Sequence, residues 1–208
     1  MINKQKFKGS TLFRKRCVDN ILSVYHNPDF SGGYNWYDKA NELANVLATK
    51  YGLTTLQVAG IIASLSPLKS WEENKKIAVQ FLINGNGKHT EAMKSKARDI
   101  KAYSDSFERE FILATLNGNK ISSFFVNIAY PNEGSYVTID RHAIAICLGR
   151  NINENEGKGI TDKQYEFLAS CYRQAAEILD IVPNKVQSVT WVKWRKLKNA
   201  KKFEDVPF

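Results

Sequence analysis

Apolar residues recur along most of this chain at the three- and four-residue spacing of an amphipathic helix, and strand-like alternation is nearly absent. Residues 56–65 are apolar on nearly every side, which predicts a buried central helix that ends before Pro67. The same periodicity predicts further helices over about 13–25, 38–51, 70–85, 90–102, 106–115, 120–128, 140–149, 161–179 and from 183 onward. The pattern therefore predicts an all-α fold.

Capping residues mark several helix starts. Ser70 with Glu73, and Thr161 with Gln164, have the spacing of a capping box, in which side chains and backbone N–H groups bond reciprocally. Asp140 precedes an apolar segment and predicts another N-cap.

Composition limits the classes of protein that need to be considered. A chain of 208 residues with 43% hydrophobic and 25% charged residues predicts one domain, or two small lobes that share a core. Lysine and arginine total 30 against 21 acidic residues, a net charge of +9, and cluster at 4–8, 14–16 and 193–202. This excess favours a polyanionic partner, nucleic acid before an anionic membrane surface, although charge also serves solubility alone.

The cysteines indicate a reducing environment. Cys17, Cys147 and Cys171 show no C-x-x-C spacing, which argues against an iron–sulfur cluster, a zinc site or a disulfide framework. Each lies on an apolar helical stripe, so we expect buried free thiols in a cytoplasmic protein. No apolar run reaches membrane-spanning length, and residues 1–8 are too polar for a signal peptide.

The candidate chemistry lies in two helix starts. Lys120 follows the short link 117–119, and Asp140 opens the next helix after one apolar helix and a loop. The chain can fold back so that both side chains open into one cleft. There a carboxylate can stabilise the positive charge that a departing base leaves on a sugar, and an amine can attack C1′ and form a Schiff base. The glycine and asparagines of the link offer backbone N–H groups to a phosphate.

Each residue also has a plainer interpretation. Asp140 can be a helix cap and nothing more, Lys120 a solvated surface lysine, and His142 a packing or hydrogen-bonding histidine. Only the joint pattern favours a reactive site.

That pattern resembles the helix-hairpin-helix (HhH-GPD) superfamily of DNA glycosylases over residues 56–150, particularly its lysine-bearing bifunctional members. Gly118-Asn119-Lys120 resembles the hairpin Gly-x-Lys of the family, and 139–142 resembles its Val-Asp-x-His motif. The resemblance implies that Lys120 is the Schiff-base nucleophile and Asp140 the essential carboxylate. It also implies a single two-lobed helical domain, with lobes of about 1–52 plus 140–208 and 53–139 and the active cleft between them.

Further roles are implied by the same resemblance. Segment 64–70 is similar to a family region that faces the minor groove and the gap left by a flipped base. The implied DNA-binding residues are Asn117, Gly118, Asn119, Ser122, Leu68, Lys69 and Arg141. The aromatic residues Tyr34 and Trp36, with His142, are candidates for the base pocket, although an aromatic cluster can equally pack in the core.

Three features depart from the family pattern. Residues 116–119 read Leu-Asn-Gly-Asn where the family has Leu-Pro-Gly-x-Gly, and Leu68 replaces the wedge glutamine. The C-terminal cluster cysteines of some members are missing. The resemblance requires no metal or organic cofactor, and it allows a monovalent cation held by backbone carbonyls near 117–119.

Three functions remain open. The first is a DNA glycosylase, with or without an AP lyase step, that acts on duplex DNA as a monomer. The second is a base-hypermodification enzyme of the same fold that acts on a base substituent, which would release an altered nucleoside and no free base. The third is a non-catalytic DNA-binding module, for which substitution of Lys120 and Asp140 would change nothing.

Overall fold

The computed structural model describes residues 11–153, 155–157 and 159–204, and within these residues the chain forms ten α-helices and no strand. The predicted all-α fold class is therefore confirmed. The basic cluster at 4–8 lies outside the described residues. The helices are α1 Thr11–His26, α2 Trp36–Tyr51, α3 Thr55–Ser64, α4 Trp71–Asn84, α5 Glu91–Ala102, α6 Glu108–Leu116, α7 Asn119–Ala129, α8 Arg141–Leu148, α9 Asp162–Leu179 and α10 Pro183–Glu204.

The two predicted capping boxes have different outcomes. At the start of α9, Thr161 and Gln164 form the complete box, each side chain bonding the other residue's backbone N–H. At the start of α4, the Ser70 hydroxyl accepts the N–H of Glu73, but the Glu73 carboxylate instead binds the Lys69 ammonium at 2.7 Å. Only half of that box forms, because a charge-assisted bond to a neighbouring lysine outcompetes a neutral N–H.

The described chain divides into two compact units. The first contains the residues up to Tyr37 and from Asn132 onward, and the second spans Asp38–Pro131. Sequence analysis put the boundaries near residues 52 and 139 instead. The amide of Asn41 donates to two carbonyl oxygens at the end of α7, at 2.9 and 3.2 Å, which ties α2 to the second unit.

The second unit is built around α3. Every residue of α3 from Gln57 to Ser64 is buried, and α4, α5, α6 and α7 pack against this helix, which confirms the predicted central helix. Gly60 lets two neighbours approach closely, since a Cβ there would lie 2.9 Å from the Ile112 side chain and 3.1 Å from that of Ile100. Within the described residues no single helix is long and apolar enough to cross a membrane; α2 and α3 meet the length and composition criteria only as a pair bent by 113°.

The first unit packs α1, α8, α9 and α10 around one apolar core, which includes Ile21, Ile144, Leu168 and Val186. The loop before α2 lies directly on α10. A Cβ at Gly33 would lie 2.6 Å from the carbonyl oxygen of Ser188, so only glycine fits, and the Ser188 hydroxyl donates to the Gly33 carbonyl at 2.8 Å.

The three cysteines, distant in sequence, meet in the core of the first unit. All are free and buried, as predicted. Cys17 hydrogen-bonds both Cys147 and Cys171. The bond to Cys147 and burial raise the pKa of the Cys17 thiol to about 12, against an opposite effect of Cys171. The pKa of Cys171 is also raised, by its bond to Cys17 and by burial.

Candidate active site

Asp140 is the N-cap residue of α8. Its backbone is extended, with φ −101° and ψ −178°, and its Oδ1 accepts the N–H groups of His142 at 2.9 Å and Ala143 at 2.8 Å. A carboxylate is favoured here because the first N–H groups of a helix have no internal acceptor and carry partial positive charge. The second oxygen, Oδ2, accepts the indole Nε1–H of Trp191 at 3.0 Å. The predicted cap is confirmed, and three N–H donors hold its carboxylate.

Several of the predicted site residues contact Trp191 of α10. The Trp36 ring lies 6.4 Å from the Trp191 ring at 60°, and the His142 ring meets it edge-on at 6.1 Å. The Arg195 guanidinium lies over the Trp191 face, 4.6 Å from the ring centroid. Asp140, Trp36 and His142 are therefore brought together by a tryptophan that sequence analysis did not identify as a site residue. The Asp140–Trp191 bond spans 51 positions, so no local pattern signals it.

His142 is half-buried beside this carboxylate. Burial lowers the pKa of His142, and the positive charges of Arg141, Lys198 and Arg195 act in the same direction. The negative charge of Asp140 opposes them without reversing the shift. The imidazole is therefore neutral at pH 7.

A buried hydrogen-bond network supports the segments that carry Asp140 and Trp191. The Tyr37 hydroxyl lies 3.1 Å from Thr138 Oγ1 and 3.0 Å from Gln187 Oε1. Thr138 precedes Asp140 by two positions, and Gln187 precedes Trp191 by one helical turn. The network thus ties the segment before α8 to α10, and it fixes the backbones that carry Asp140 and Trp191.

Tyr34 lies apart from the Trp191 cluster. Its side chain is 45% exposed, and the Lys185 ammonium lies 4.8 Å from its ring centroid. It lines an open cavity of about 400 Å³ with Tyr25, Phe30 and Lys193. The Lys193 ammonium already donates to two backbone carbonyls at the end of α1, at 2.5 and 2.8 Å.

In the second unit, α6 and α7 form a hairpin with a two-residue link. Asn117 adopts the left-handed conformation with φ 47°, which asparagine tolerates better than most residues, and Gly118 follows. No side chain caps α7, and residues 117–120 are exposed. The N–H of Ser122 donates to the Gly118 carbonyl at 2.9 Å, which makes it part of the first turn of α7.

Lys120 is the second residue of α7. Its side chain is exposed, and Phe124 lies one turn further along the same face. Trp71 of α4 meets the Phe124 ring edge-on at 6.5 Å, and the Lys75 ammonium lies 5.8 Å from the Trp71 centroid. Lys120 therefore lies on the same face of α7 as Phe124, and the Trp71 ring that contacts Phe124 has the Lys75 ammonium beside it.

The turn between α3 and α4 projects Leu68 into solvent. Leu68 has a φ of 62° and is 96% exposed, both unfavourable for a β-substituted apolar residue. The turn is closed by the Lys69 N–H, which donates to the Ser66 carbonyl at 3.1 Å, and by His89 Nε2, 3.1 Å from the Pro67 carbonyl oxygen. The Lys69 ammonium forms an ion pair with the Glu73 carboxylate and lowers the pKa of that carboxyl.

The predicted site residues thus fall into two groups. Asp140, the exposed Arg141, His142, Trp36 and Tyr34 belong to the first unit. Lys120, the hairpin residues, Ser122, Leu68 and Lys69 belong to the second. Across the part of the chain that is described, no group of three or more histidine, cysteine, aspartate or glutamate residues is arranged to hold a metal ion.

Comparison with known proteins gives a family without an assigned activity. Neither the curated proteins nor the solved structures include a match to this chain. A family model described as a family of unknown function, DUF7178, matches residues 2–198. Because that match spans nearly the whole sequence, the chain belongs to the DUF7178 family.

Proposed function

We propose that this protein is a DNA glycosylase with a lyase step, which binds duplex DNA and acts on one flipped nucleotide through Lys120 and Asp140. We further propose the two-lobed arrangement of the helix-hairpin-helix glycosylases, with the two residues in one cleft. The observation that carries the proposal is the α6–α7 hairpin, whose open helix start presents Lys120 in its first turn.

The hairpin has the properties of a phosphate-binding element. The start of α7 has no side-chain cap and residues 117–120 are exposed, so the positive end of the helix dipole can be approached by an anion. A Cβ built at Gly118 would meet no atom within 4 Å, which leaves room for a close backbone approach. A phosphate bound here would hold the DNA strand next to Lys120.

Asp140 supplies the complementary charge. A carboxylate fixed by three N–H donors cannot turn away from a substrate, and its negative charge stabilises the oxocarbenium-like sugar as the base departs. At an abasic site the same charge stabilises the cationic iminium that forms when the lysine amine adds to the C1′ aldehyde and water leaves. Trp36 and the neutral His142 border it with apolar and polar ring surface suited to a planar base.

Lys120 provides the covalent step. After loss of a proton, the Lys120 amine forms an N–C1′ bond as the glycosidic C1′–N bond breaks, and the base leaves with that electron pair. The sugar ring then opens at O4′, leaving an imine between lysine and C1′. In net terms the two amine protons pass to the base and to O4′. Borohydride reduces such an imine to a stable amine.

Leu68 fits the role of a wedge. An exposed apolar side chain on a turn in the left-handed conformation is costly in solution, and it gains a favourable environment when it enters the gap that a flipped nucleotide leaves. Phosphates on either side can meet Arg141, Arg195 and Lys198 of the first unit.

The test is borohydride trapping on a duplex with one abasic site, where C1′ is an aldehyde and the imine forms with loss of water. We expect a covalent adduct with the wild type that Lys120→Gln abolishes. The matched control is Lys163→Gln, since Lys163 is an exposed lysine at the same second position of α9 and should leave trapping unchanged.

Two outcomes would overturn parts of the proposal. Full trapping by Lys120→Gln would assign the imine to another amine. No adduct with the wild type would remove the lyase step, and mass spectrometry of treated DNA would then separate release of a free base from an altered nucleoside.

A further inference from the structure

We propose that Trp191 is a positioning residue for Asp140, whose indole N–H fixes the carboxylate in the orientation that the reaction needs. The hydrogen bond between Trp191 and Asp140 is observed in the first unit. Its effect on the reaction rests on the proposed function. Sequence analysis did not include Trp191 among the candidate site residues.

The two carboxylate oxygens are held from different elements. Oδ1 is bound by two backbone N–H groups of α8, and Oδ2 by the side chain of Trp191 on α10. The backbone bonds alone anchor one oxygen and leave the carboxylate free to rotate about it. The bond to Trp191, at 3.0 Å, removes that rotation.

The indole is itself held in place. The Trp36 and His142 rings contact it, and Arg195 covers its face at 4.6 Å. A swing of the indole away from Asp140 would break all three ring contacts. The orientation of the carboxylate is therefore set by the packing of α10 and does not depend on a mobile surface group.

Hydrogen-bond counting shows what remains for a substrate. An ionised carboxylate offers about four lone-pair positions. Three of them accept the N–H groups of His142, Ala143 and Trp191. The remaining position, on Oδ2, is the one that can face the sugar or a water molecule. Trp191 thus determines which direction of the carboxylate stays open.

The chain contains a matched control on the same helix. Trp194 follows Trp191 by three positions and packs against the core of the first unit. Its buried indole Nε1–H has no hydrogen-bond partner among the described residues. Trp191→Phe and Trp194→Phe each remove one indole N–H group. Only Trp191→Phe also breaks a hydrogen bond, the one to Asp140 Oδ2.

The first measurement tests the bond without reference to activity. In ¹⁵N-labelled protein, the indole N–H resonance assigned by Trp191→Phe should shift in Asp140→Asn, and that assigned by Trp194→Phe should stay in place. An unchanged Trp191 resonance in Asp140→Asn would overturn the inference.

The second measurement tests the consequence, with the abasic-site duplex as the probe. We expect Trp191→Phe to slow adduct formation about 10- to 100-fold, the size expected when a carboxylate loses one N–H donor, with an unchanged Kd for the duplex. Trp194→Phe should keep the wild-type rate.

The outcomes separate the inference from the proposed function. If the wild type forms the Lys120-dependent adduct and Trp191→Phe matches its rate, the positioning role is wrong and the proposed function stands. A fall in duplex affinity with an unchanged rate constant would also overturn it, since that would make Trp191 a binding residue. If the wild type forms no adduct, the lyase step and this role in it fail together, whatever the resonance shows.

Discussion

The two units present their candidate residues in opposite ways. In the second unit Leu68 and residues 117–120 are turned outward: Leu68 is 96% exposed, and α7 begins at Asn119, after Gly118, with no side-chain cap. In the first unit Asp140, Trp36 and His142 are half-buried, with three N–H donors on Asp140 and ring contacts from Trp36 and His142 to Trp191, whereas Tyr34 and Arg141 are exposed.

On the proposed function, the difference corresponds to two tasks. An uncapped helix start and an exposed apolar side chain suit contact with another molecule, whereas a carboxylate with three donors has a fixed orientation that a reaction can use. On the proposed function, substitutions of Leu68 or Gly118 in the second unit should therefore change DNA affinity with little cost in stability, whereas Lys120 of the same unit supplies the covalent step. Substitutions around Asp140 should change stability and chemistry together.

The largest expected effect is that of Asp140→Ala. Loss of the cap costs about 1 kcal/mol and the unpaired Trp191 indole about 1 kcal/mol more, so the free energy of unfolding should fall by about 2 kcal/mol. Borohydride trapping should disappear. Urea unfolding and the trapping assay measure the two effects on the same protein.

Thr161→Ala is the control for the cap alone. It removes the Thr161 half of the capping box at α9 and should cost about 1 kcal/mol while trapping persists. Wild-type trapping by Asp140→Ala would break the comparison, because the fixed carboxylate would then have no part in the chemistry.

The second prediction makes the start of α7 resemble that of α8. Gly118 has φ 168°, an extended backbone open to any residue, with free space at the Cβ position. In Gly118→Asp the carboxylate should cap α7 and raise the free energy of unfolding by a few tenths of a kcal/mol. It should also repel the incoming phosphate and weaken duplex binding about 10-fold.

Fluorescence anisotropy with a labelled abasic-analogue duplex measures this affinity across a salt series. The slope of log Kd against log salt should fall by about 1, as expected for one lost phosphate contact. Gly118→Asn is the matched control: it caps the helix without charge and should bind more tightly than Gly118→Asp. Equal affinities for the two variants would mean that no phosphate binds at α7.

Local rules account for most of the fold. Apolar periodicity gave the helices, and the capping chemistry of Asp140 and Thr161 gave two of their starts, because these signals depend on residues within one or two turns. The capping box at Ser70 failed in part because Lys69, one position earlier, takes the Glu73 carboxylate.

The candidate site was less accessible to sequence reasoning. The bond between Asp140 and Trp191 joins two helices, as does the contact of Cys17 with Cys147, and the spacing of such pairs follows from tertiary packing alone. The left-handed backbone of Leu68 also had no signal, since glycine or asparagine is the residue type that marks such a position.

The third prediction concerns Leu68. Leu68→Gly removes the strain of a φ of 62°, an effect partly offset by the freer unfolded chain, so stability should rise by about 0.5 kcal/mol. The loss of the wedge should weaken binding to the abasic duplex severalfold in the same anisotropy assay. A gain in stability with a loss of affinity is the expected signature of a residue kept for binding.

Asp180→Gly supplies the comparison. Asp180 ends α9 with a φ of 53° and is exposed, so the change should relieve similar strain. Because Asp180 belongs to the first unit and has no part in the proposed wedge, duplex affinity should not fall. A Leu68→Gly variant that keeps wild-type affinity would remove the turn from the proposed DNA surface.

The smallest expected effect is a pH dependence at His142. Burial lowers its pKa from the ordinary value of 6.5, so below that value the unfolded chain takes up a proton more readily than the folded protein. Stability from the neutral ring is therefore present above pH 6.5 and is lost as pH falls through the lowered pKa. The free energy of unfolding should decline as the pH falls below about 7, and less so in His142→Gln.

Urea unfolding over a pH series measures this decline. His26→Gln, which replaces an exposed histidine, should keep the wild-type decline. Equal declines in both variants would mean that the site around Asp140 tolerates a charged imidazole, and the first unit would then be less rigid than its hydrogen bonds indicate.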